Sequence, residues 1–257
     1  MTIWLAAVGA AACTAGAPTA ASTPGAAAPP TGAPAAPAPA VDYQLVLKPT
    51  GAPPRVTSAE LAPHQTIEVH HGPAGGPVLM VVDGVGAPIR TWTGYREWAG
   101  LLVAAGINVV MYDGASVDDA EAALAYVHAH ARALAIDDQR LCIFASSANA
   151  RIGVRLPLRP AGATITCAVY YYGVMDVAEV RPGMPALVVR AGLDTREILG
   201  YIDAWVAAAV AAHAAVEVID LPNHHHAFDA RDDNDESRRV MRETIAFVVR
   251  QLRPAAR

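Results

Sequence analysis

Short apolar runs alternate with longer helical segments from residue 41 to the end of the chain. The apolar runs occupy residues 78–82, 107–111, 141–145, 164–172, 186–189 and 216–219, and two earlier candidate strands occupy residues 43–47 and 66–70. Helical spacing of apolar residues marks segments 95–105, 117–134, 148–156, 198–212 and 236–252. Because continuous apolar strands joined by helices form βαβ units, the pattern predicts an α/β fold with a mostly parallel central sheet and helices on both faces.

Residues 1–40 have a different composition, with no charged side chain and a predominance of Ala, Pro, Gly, Thr and Ser. Such a segment buries too little apolar surface to offset its chain entropy, so we expect a disordered linker. The short apolar run 3–12 ends at Cys13 and resembles a bacterial lipoprotein leader, which predicts an exported protein anchored at a membrane through Cys13. The alternative is a low-complexity extension of a cytoplasmic protein. Residues 41–257 are predicted to form one α/β domain.

Charge and cysteine spacing argue against several classes of function. The net charge of -5 provides no basic patch, so no nucleic-acid partner is expected. Cys142 and Cys167 lie in apolar runs and are predicted to be buried thiols, because the cysteine spacing fits neither a zinc site nor a disulfide framework. Three consecutive histidines at 224–226 cannot all face one ion, because successive side chains of an extended segment point apart. We therefore predict no metal site.

The segment 141–149 (LCIFASSAN) runs from an apolar strand through small residues directly into a predicted helix. A nucleophile elbow has this context, since its strained turn requires small residues two positions before and after the nucleophile. Ser147 fits the apex because Ala145 and Asn149 occupy those two positions. The preceding serine does not fit, because Phe144 stands two residues before it. On this segment alone, serines that merely cap the helix are the better interpretation.

Two further residues complete a candidate catalytic triad in the chain order Ser, acid, His. Asp194 follows the strand at 186–189, and His226 follows the strand at 216–219. The carboxyl ends of parallel strands meet at one edge of a sheet, so both side chains can approach Ser147 there. A serine hydroxyl becomes a good nucleophile only beside a base that a carboxylate orients. We predict that Ser147 is the nucleophile, His226 the base and Asp194 the orienting acid.

Motifs around these residues resemble the dienelactone-hydrolase-like branch of the α/β-hydrolases over most of residues 42–257. The tract 190–194 (RAGLD) is similar to the acid loop of that group, and 226–229 (HAFD) is similar to its histidine loop. Residues 136–140 (IDDQR) and the Tyr-Gly pair after the next strand add to the likeness. The resemblance implies an α/β-hydrolase fold and a Ser-Asp-His hydrolase without metal or organic cofactor. Dienelactone hydrolases themselves use cysteine where this chain has Ser147.

The candidate oxyanion hole departs from that pattern. These enzymes usually carry His-Gly after the strand at 78–82, whereas this chain has Asp83-Gly84. The backbone N–H groups of Ala148 and Val85 are the predicted oxyanion donors. A charged Asp83 beside a developing oxyanion would oppose the reaction.

Other polar clusters receive structural interpretations. The aspartates at 229, 232, 233 and 235 precede the last helix, where capping and complementing the helix dipole are their expected roles. The histidine pairs at 70–71 and 128/130 are interpreted as surface or strand-end residues.

The predicted function is hydrolysis of a carboxylic ester or related acyl bond in a small-molecule substrate, through an acyl intermediate on Ser147. The alternative is a catalytically silent hydrolase-fold protein that binds a ligand or partner at the cell envelope. Asp83 and the glycine-free elbow favour the alternative, whereas the complete triad in the expected order favours the enzyme. The sequence indicates no particular oligomeric state.

Overall fold

An eight-stranded sheet runs through the computed structural model, which describes residues 43–177 and 179–253. The strands are β1 (Arg55–Ala62), β2 (Gln65–His71), β3 (Gly76–Val81), β4 (Asn108–Tyr112), β5 (Ile136–Ser146), β6 (Ile165–Tyr171), β7 (Ala186–Ala191) and β8 (Val216–Leu221). The helices are α1 (Thr93–Ala104), α2 (Val117–Leu134), α3 (Ala150–Arg155), α4 (Arg196–Ala211), α5 (Phe228–Arg231) and α6 (Asp235–Gln251). The predicted leader and linker, including Cys13, lie outside the described residues.

The strand order is β1-β2-β4-β3-β5-β6-β7-β8. β1 pairs with β2, and β2 with β4, in antiparallel fashion, whereas every pairing from β4 to β8 is parallel. The mostly parallel sheet predicted from the sequence is therefore confirmed. Its parallel strands bring the ends of β3, β5, β7 and β8 to one edge.

Alternate side chains of each central strand point to opposite sides of the sheet, so the apolar strands give it two apolar faces. Helices cover both of these faces. In β3, Val78 and Met80 belong to one buried cluster, which receives apolar residues of α2, α3 and α4. Leu79 and Val81 belong to the opposite cluster, which receives residues of α1 and α6. In the described part of the chain, no helix combines the length and apolar character needed to span a membrane.

The structure differs from the sequence prediction at the N-terminal side of the domain. The predicted strand at 43–47 is wrong: Leu45 donates its N–H to a Glu97 carboxylate oxygen (2.6 Å), and Val46 donates to the Asp229 carbonyl (2.8 Å). This segment therefore packs against helices rather than joining the sheet. The edge strand β1 was not predicted, because its side chains are largely exposed and lack a buried apolar run.

Cys142 and Cys167 lie side by side in the register of β5 and β6, with their Cα atoms 4.6 Å apart. Both side chains are fully buried, as predicted, and the structure brings their sulfur atoms together between the two strands. Twenty-five residues separate the two cysteines in sequence, and spacing alone could not reveal that the strands carrying them are neighbours.

The contact between α3 and β5 depends on a glycine. A Cβ atom placed on Gly153 would lie 2.5 Å from the Cβ of Ala145, so α3 approaches the strand as closely as it does only because Gly153 lacks a side chain. A Cβ atom placed on Gly200 in α4, in contrast, would have no neighbouring atom within 4 Å.

We expect Gly153→Ala to destabilise the domain by about 1–3 kcal/mol, because the added methyl group overpacks the contact with Ala145. Gly200→Ala is the matched control and should stabilise the domain by about 0.5–1 kcal/mol through its higher helix propensity. Urea unfolding of both variants measures the two free energies. Equal effects of the two substitutions would contradict the packing described here.

Candidate active site

Ser147 stands at the tip of a tight turn between β5 and α3. Its φ of +54° lies in the left-handed region that residues with a Cβ rarely adopt, and it begins a short 3-10 helix, Ser147–Asn149, that leads into α3. Such strain persists only where surrounding contacts impose it, and it is often found at functional sites. Ser146, in contrast, has an extended backbone and a buried hydroxyl 2.7 Å from that of Tyr95. The structure thus distinguishes the two adjacent serines.

The side chains of Ser147, His226 and Asp194 form one hydrogen-bonded chain. Ser147 Oγ lies 2.8 Å from His226 Nε2, and His226 Nδ1 lies 2.6 Å from Asp194 Oδ2. A carboxylate oxygen can only accept, so Nδ1 carries the proton and Nε2 is left to accept from the serine hydroxyl. The Asp194 side chain is 2% exposed and that of His226 is 32% exposed, so the acid is shielded while the base remains accessible.

The loops that carry Asp194 and His226 are bonded to each other. Gly192 donates its N–H to the Leu221 carbonyl (2.8 Å), and Leu193 donates to the His224 carbonyl (2.9 Å). A Cβ atom on Gly192 would lie 2.5 Å from backbone atoms of Pro222, so only glycine permits this approach. The glycine of the RAGLD tract therefore places the acid loop against the histidine loop.

The other two histidines of the run face away from Ser147. His225 Nδ1 lies 2.8 Å from Asp232 Oδ1, and the buried His224 has Nε2 3.3 Å from Asn234 Oδ1. Within the described residues, no group of three or more His, Cys, Asp or Glu side chains is arranged to hold a metal ion.

Asn149 connects the elbow to the candidate oxyanion loop, the segment 83–86 that follows β3. Its Oδ1 accepts the N–H of Gly84 at 2.9 Å. A Cβ atom on Gly84 would lie 2.3 Å from Ile152 Cγ1, so this loop also requires glycine where it meets α3. The sequence prediction treated Asn149 only as a substitute for the usual glycine and did not identify this bond.

Asp83 is fully buried beneath the same loop. Its two carboxylate oxygens accept long hydrogen bonds from the N–H groups of Val85 and Gly114, each 3.4 Å, and its carbonyl accepts from the Tyr112 hydroxyl at 2.9 Å. Burial raises the pKa of Asp83 from 3.8 to about 6, because desolvation disfavours the charged form. The N–H of Val85, one of the predicted oxyanion donors, is thus directed at the carboxylate of Asp83.

Asp229 has an environment that the sequence did not indicate. It is fully buried and accepts hydrogen bonds from Tyr43 Oη (2.6 Å), Trp98 Nε1 (3.0 Å) and Tyr172 Oη (2.7 Å). The interpretation of Asp229 as an acid that complements the last helix is therefore wrong. Only its place in the HAFD tract could have distinguished it from the aspartates that follow.

His70 is likewise buried rather than at the surface. Its Nε2 lies 3.6 Å from Glu68 Oε2 on the same strand. Burial lowers the pKa of His70, since desolvation disfavours the imidazolium form.

Several solved esterase structures are similar to this chain. Esterase LipW from Mycobacterium marinum superposes with a TM-score of 0.68 at 15% identity, covering 78% of this chain and 83% of that chain. The carboxylesterase EstE1, cloned from a metagenomic library, gives a TM-score of 0.66 at 17% identity, covering 81% and 92%. A thermostable esterase from Pseudomonas putida gives 0.65 at 15% identity, covering 78% and 83%.

At these identities the likeness establishes the fold, and the predicted α/β-hydrolase fold is confirmed. The sequence matches no protein-family model and no curated protein.

The raised pKa of Asp83 predicts a pH-dependent cost to stability. Below about pH 4 the carboxyl is protonated in both the folded and the unfolded chain, whereas above pH 6 the folded chain must hold a buried charge. We therefore expect the stability of Asp83→Asn, relative to the wild type, to increase as the pH rises from 4 to 7. Urea unfolding at both pH values measures the two differences. If the difference in free energy of unfolding between Asp83→Asn and the wild type stays constant with pH, the pKa of Asp83 is not raised.

Proposed function

We propose that this chain is a serine hydrolase that cleaves a carboxylic ester or related acyl bond of a small molecule. The observation that carries the proposal is the hydrogen-bonded chain from Ser147 through His226 to Asp194 at the end of a strained strand-to-helix turn. The esterases of similar fold support the same chemistry.

In the proposed reaction, Ser147 Oγ attacks the carbonyl carbon of the ester while its proton passes to His226 Nε2. Asp194 stabilises the imidazolium that forms. The tetrahedral intermediate collapses when the C–O bond to the alcohol breaks, and the alcohol leaves with the proton from His226. A water molecule then attacks the acyl-serine by the same route, which releases the acid and restores Ser147.

The negative oxygen of the intermediate requires donors, and the N–H groups of Ala148 and Val85 are the proposed ones. Ala148 lies in the first turn after Ser147, as the elbow geometry requires. For Val85 to serve, its long bond to Asp83 must give way to the substrate oxygen. A neutral Asp83 releases this N–H more readily than a charged one, because hydrogen bonds to carboxylates are the stronger kind.

Within the α/β-hydrolase fold, we place the chain in the dienelactone-hydrolase-like branch, with serine in place of cysteine. The acid loop at 190–194 and the histidine loop at 226–229 support this placement. The glycine of the first loop has a structural reason, namely its contact with Pro222.

For the N-terminal segment, we propose export and lipid attachment at Cys13, on the composition of residues 1–40 alone. Mass spectrometry of the native protein tests this proposal. A chain that begins with an unmodified Met1 would instead support the cytoplasmic alternative.

A fluorophosphonate probe tests the enzyme proposal, because it reacts with serines that a neighbouring base activates. We expect the wild type and Ser146→Ala to be labelled, and Ser147→Ala and His226→Ala to lose labelling. His224→Ala should retain most of it, since His224 faces Asn234 rather than Ser147. Mass spectrometry of the labelled peptide identifies the modified serine.

Hydrolysis of short-chain aryl esters by the same variants should follow the labelling. Asp194→Asn should lower kcat by several orders of magnitude, about 10⁴-fold in the reference triad, because the imidazole loses its orienting acceptor. Folded wild-type protein that neither reacts with the probe nor hydrolyses any ester would support the silent, ligand-binding alternative.

A further inference from the structure

Tyr172 connects the buried carboxylate of Asp229 to the imidazole of His226. Its ring centroid lies 4.7 Å from that of His226, with the two planes inclined by 58°. Its hydroxyl donates to Asp229 Oδ1 at 2.7 Å. The triad hydrogen bonds hold the two nitrogen atoms of the imidazole, and Tyr172 adds a contact from outside the triad.

The backbone of Tyr172 is strained and firmly held. Its φ of +37° is in the left-handed region, which costs about 1–3 kcal/mol for a residue with a side chain. The N–H of Tyr172 bonds to the Val189 carbonyl at 2.8 Å, and two residues later Val174 donates to the carbonyl of Ser147 at 2.9 Å. The segment that carries Tyr172 is therefore bonded both to β7 and to the nucleophile itself.

Asp229 is fixed by a set of neutral donors. Tyr43 Oη and Trp98 Nε1 both donate to Oδ2, which leaves Oδ1 for Tyr172. Hydrogen bonds of this kind favour the carboxylate, whereas burial disfavours it and raises the pKa of Asp229. Since Asp229 stands three residues after His226, the carboxylate ties the histidine loop to the Tyr172 segment.

We propose that Asp229 and Tyr172 are positioning residues for His226: the carboxylate fixes the tyrosine hydroxyl, and the tyrosine ring holds the imidazole and stabilises its protonated form. The inference rests on the proposed hydrolase function. A tyrosine ring attracts a cation placed near its face, so the contact strengthens when His226 takes the serine proton. This contribution is greatest when His226 is an imidazolium, as it is in the transition state.

The groups that face His226 are few among the described residues. Asp194 contacts Nδ1, Ser147 contacts Nε2, and Tyr172 packs against the ring. Asp229 lies behind Tyr172, where it also meets Tyr43. His224 and His225, the titratable residues that precede it in sequence, bond to Asn234 and Asp232 instead.

Tyr172→Phe removes only the hydroxyl that Asp229 holds. We expect kcat for an aryl ester to fall about threefold to tenfold with KM nearly unchanged, because the substrate is bound as before while the base is less well held. Asp229→Asn keeps an acceptor for Tyr43 and Trp98, and its amide can donate to Tyr172. The kcat of this variant should therefore also fall, but by a smaller factor than that of Tyr172→Phe.

Tyr171→Phe is the matched control, made on the adjacent residue. Its hydroxyl is also buried and bonds to Thr244 Oγ1 at 2.6 Å, and its ring does not contact His226. Both Phe variants keep the ring and lose a buried hydroxyl with its hydrogen bond, yet only Tyr172→Phe should lower kcat. Equal kcat values for Tyr172→Phe and Tyr171→Phe would overturn the proposal.

NMR spectra of the His226 ring protons test the inference without turnover, with His226→Gln used to assign the signals. Tyr172→Leu removes the aromatic ring that packs on the imidazole, so the His226 ring-proton signals should move and broaden, whereas Tyr171→Phe should leave them unchanged. Unchanged His226 signals in Tyr172→Leu would refute the contact that holds the imidazole. If the wild type hydrolyses no ester, the hydrolase proposal fails, and these spectra still decide whether Tyr172 supports His226.

Discussion

The turn at Ser147 is the constraint on which the rest of the site depends. It holds a residue with a side chain at a positive φ, a strained conformation that persists only where the surrounding structure imposes it. Gly153 allows α3 to meet Ala145, and Gly84 allows the oxyanion loop to meet Ile152. These close approaches place the hydroxyl at the edge of the sheet where the loops after β7 and β8 meet. The acid and the base then need only short loops to reach it.

Two carboxyl groups near this turn, those of Asp194 and Asp83, have opposite effects on the proposed reaction. In the proposed reaction, Asp194 supports the charge that His226 would acquire on accepting the serine proton. Asp83 places a second carboxyl under the loop where negative charge would develop on the substrate. Because burial raises the pKa of Asp83 to about 6, its charge is only weakly favoured near neutral pH. In the proposed reaction, its protonation state would therefore affect how the candidate oxyanion loop receives the substrate oxygen.

A third carboxyl group, that of Asp229, is placed differently from both. Its side-chain partners among the described residues are neutral donors, and one of these, Tyr172, lies against His226. The three carboxyls thus have separate places in the site: one bonds to the imidazole directly, one lies beneath the candidate oxyanion loop, and one bonds to a tyrosine whose ring contacts the imidazole. The differences arise from burial and from the partners that each group meets, since all three are aspartates.

The sequence by itself determined the α/β alternation, the places of the buried strands along the chain and the positions of Ser147, Asp194 and His226 at strand ends. These follow from local periodicity and from the rule that parallel strands end at a common edge. Only the tertiary structure decided that Asn149 holds Gly84, that Cys142 meets Cys167, and that Asp229 lies among aromatic side chains. Each of these contacts joins segments distant in sequence or depends on the exact approach of two elements, and side-chain spacing along one strand or helix carries no information about either.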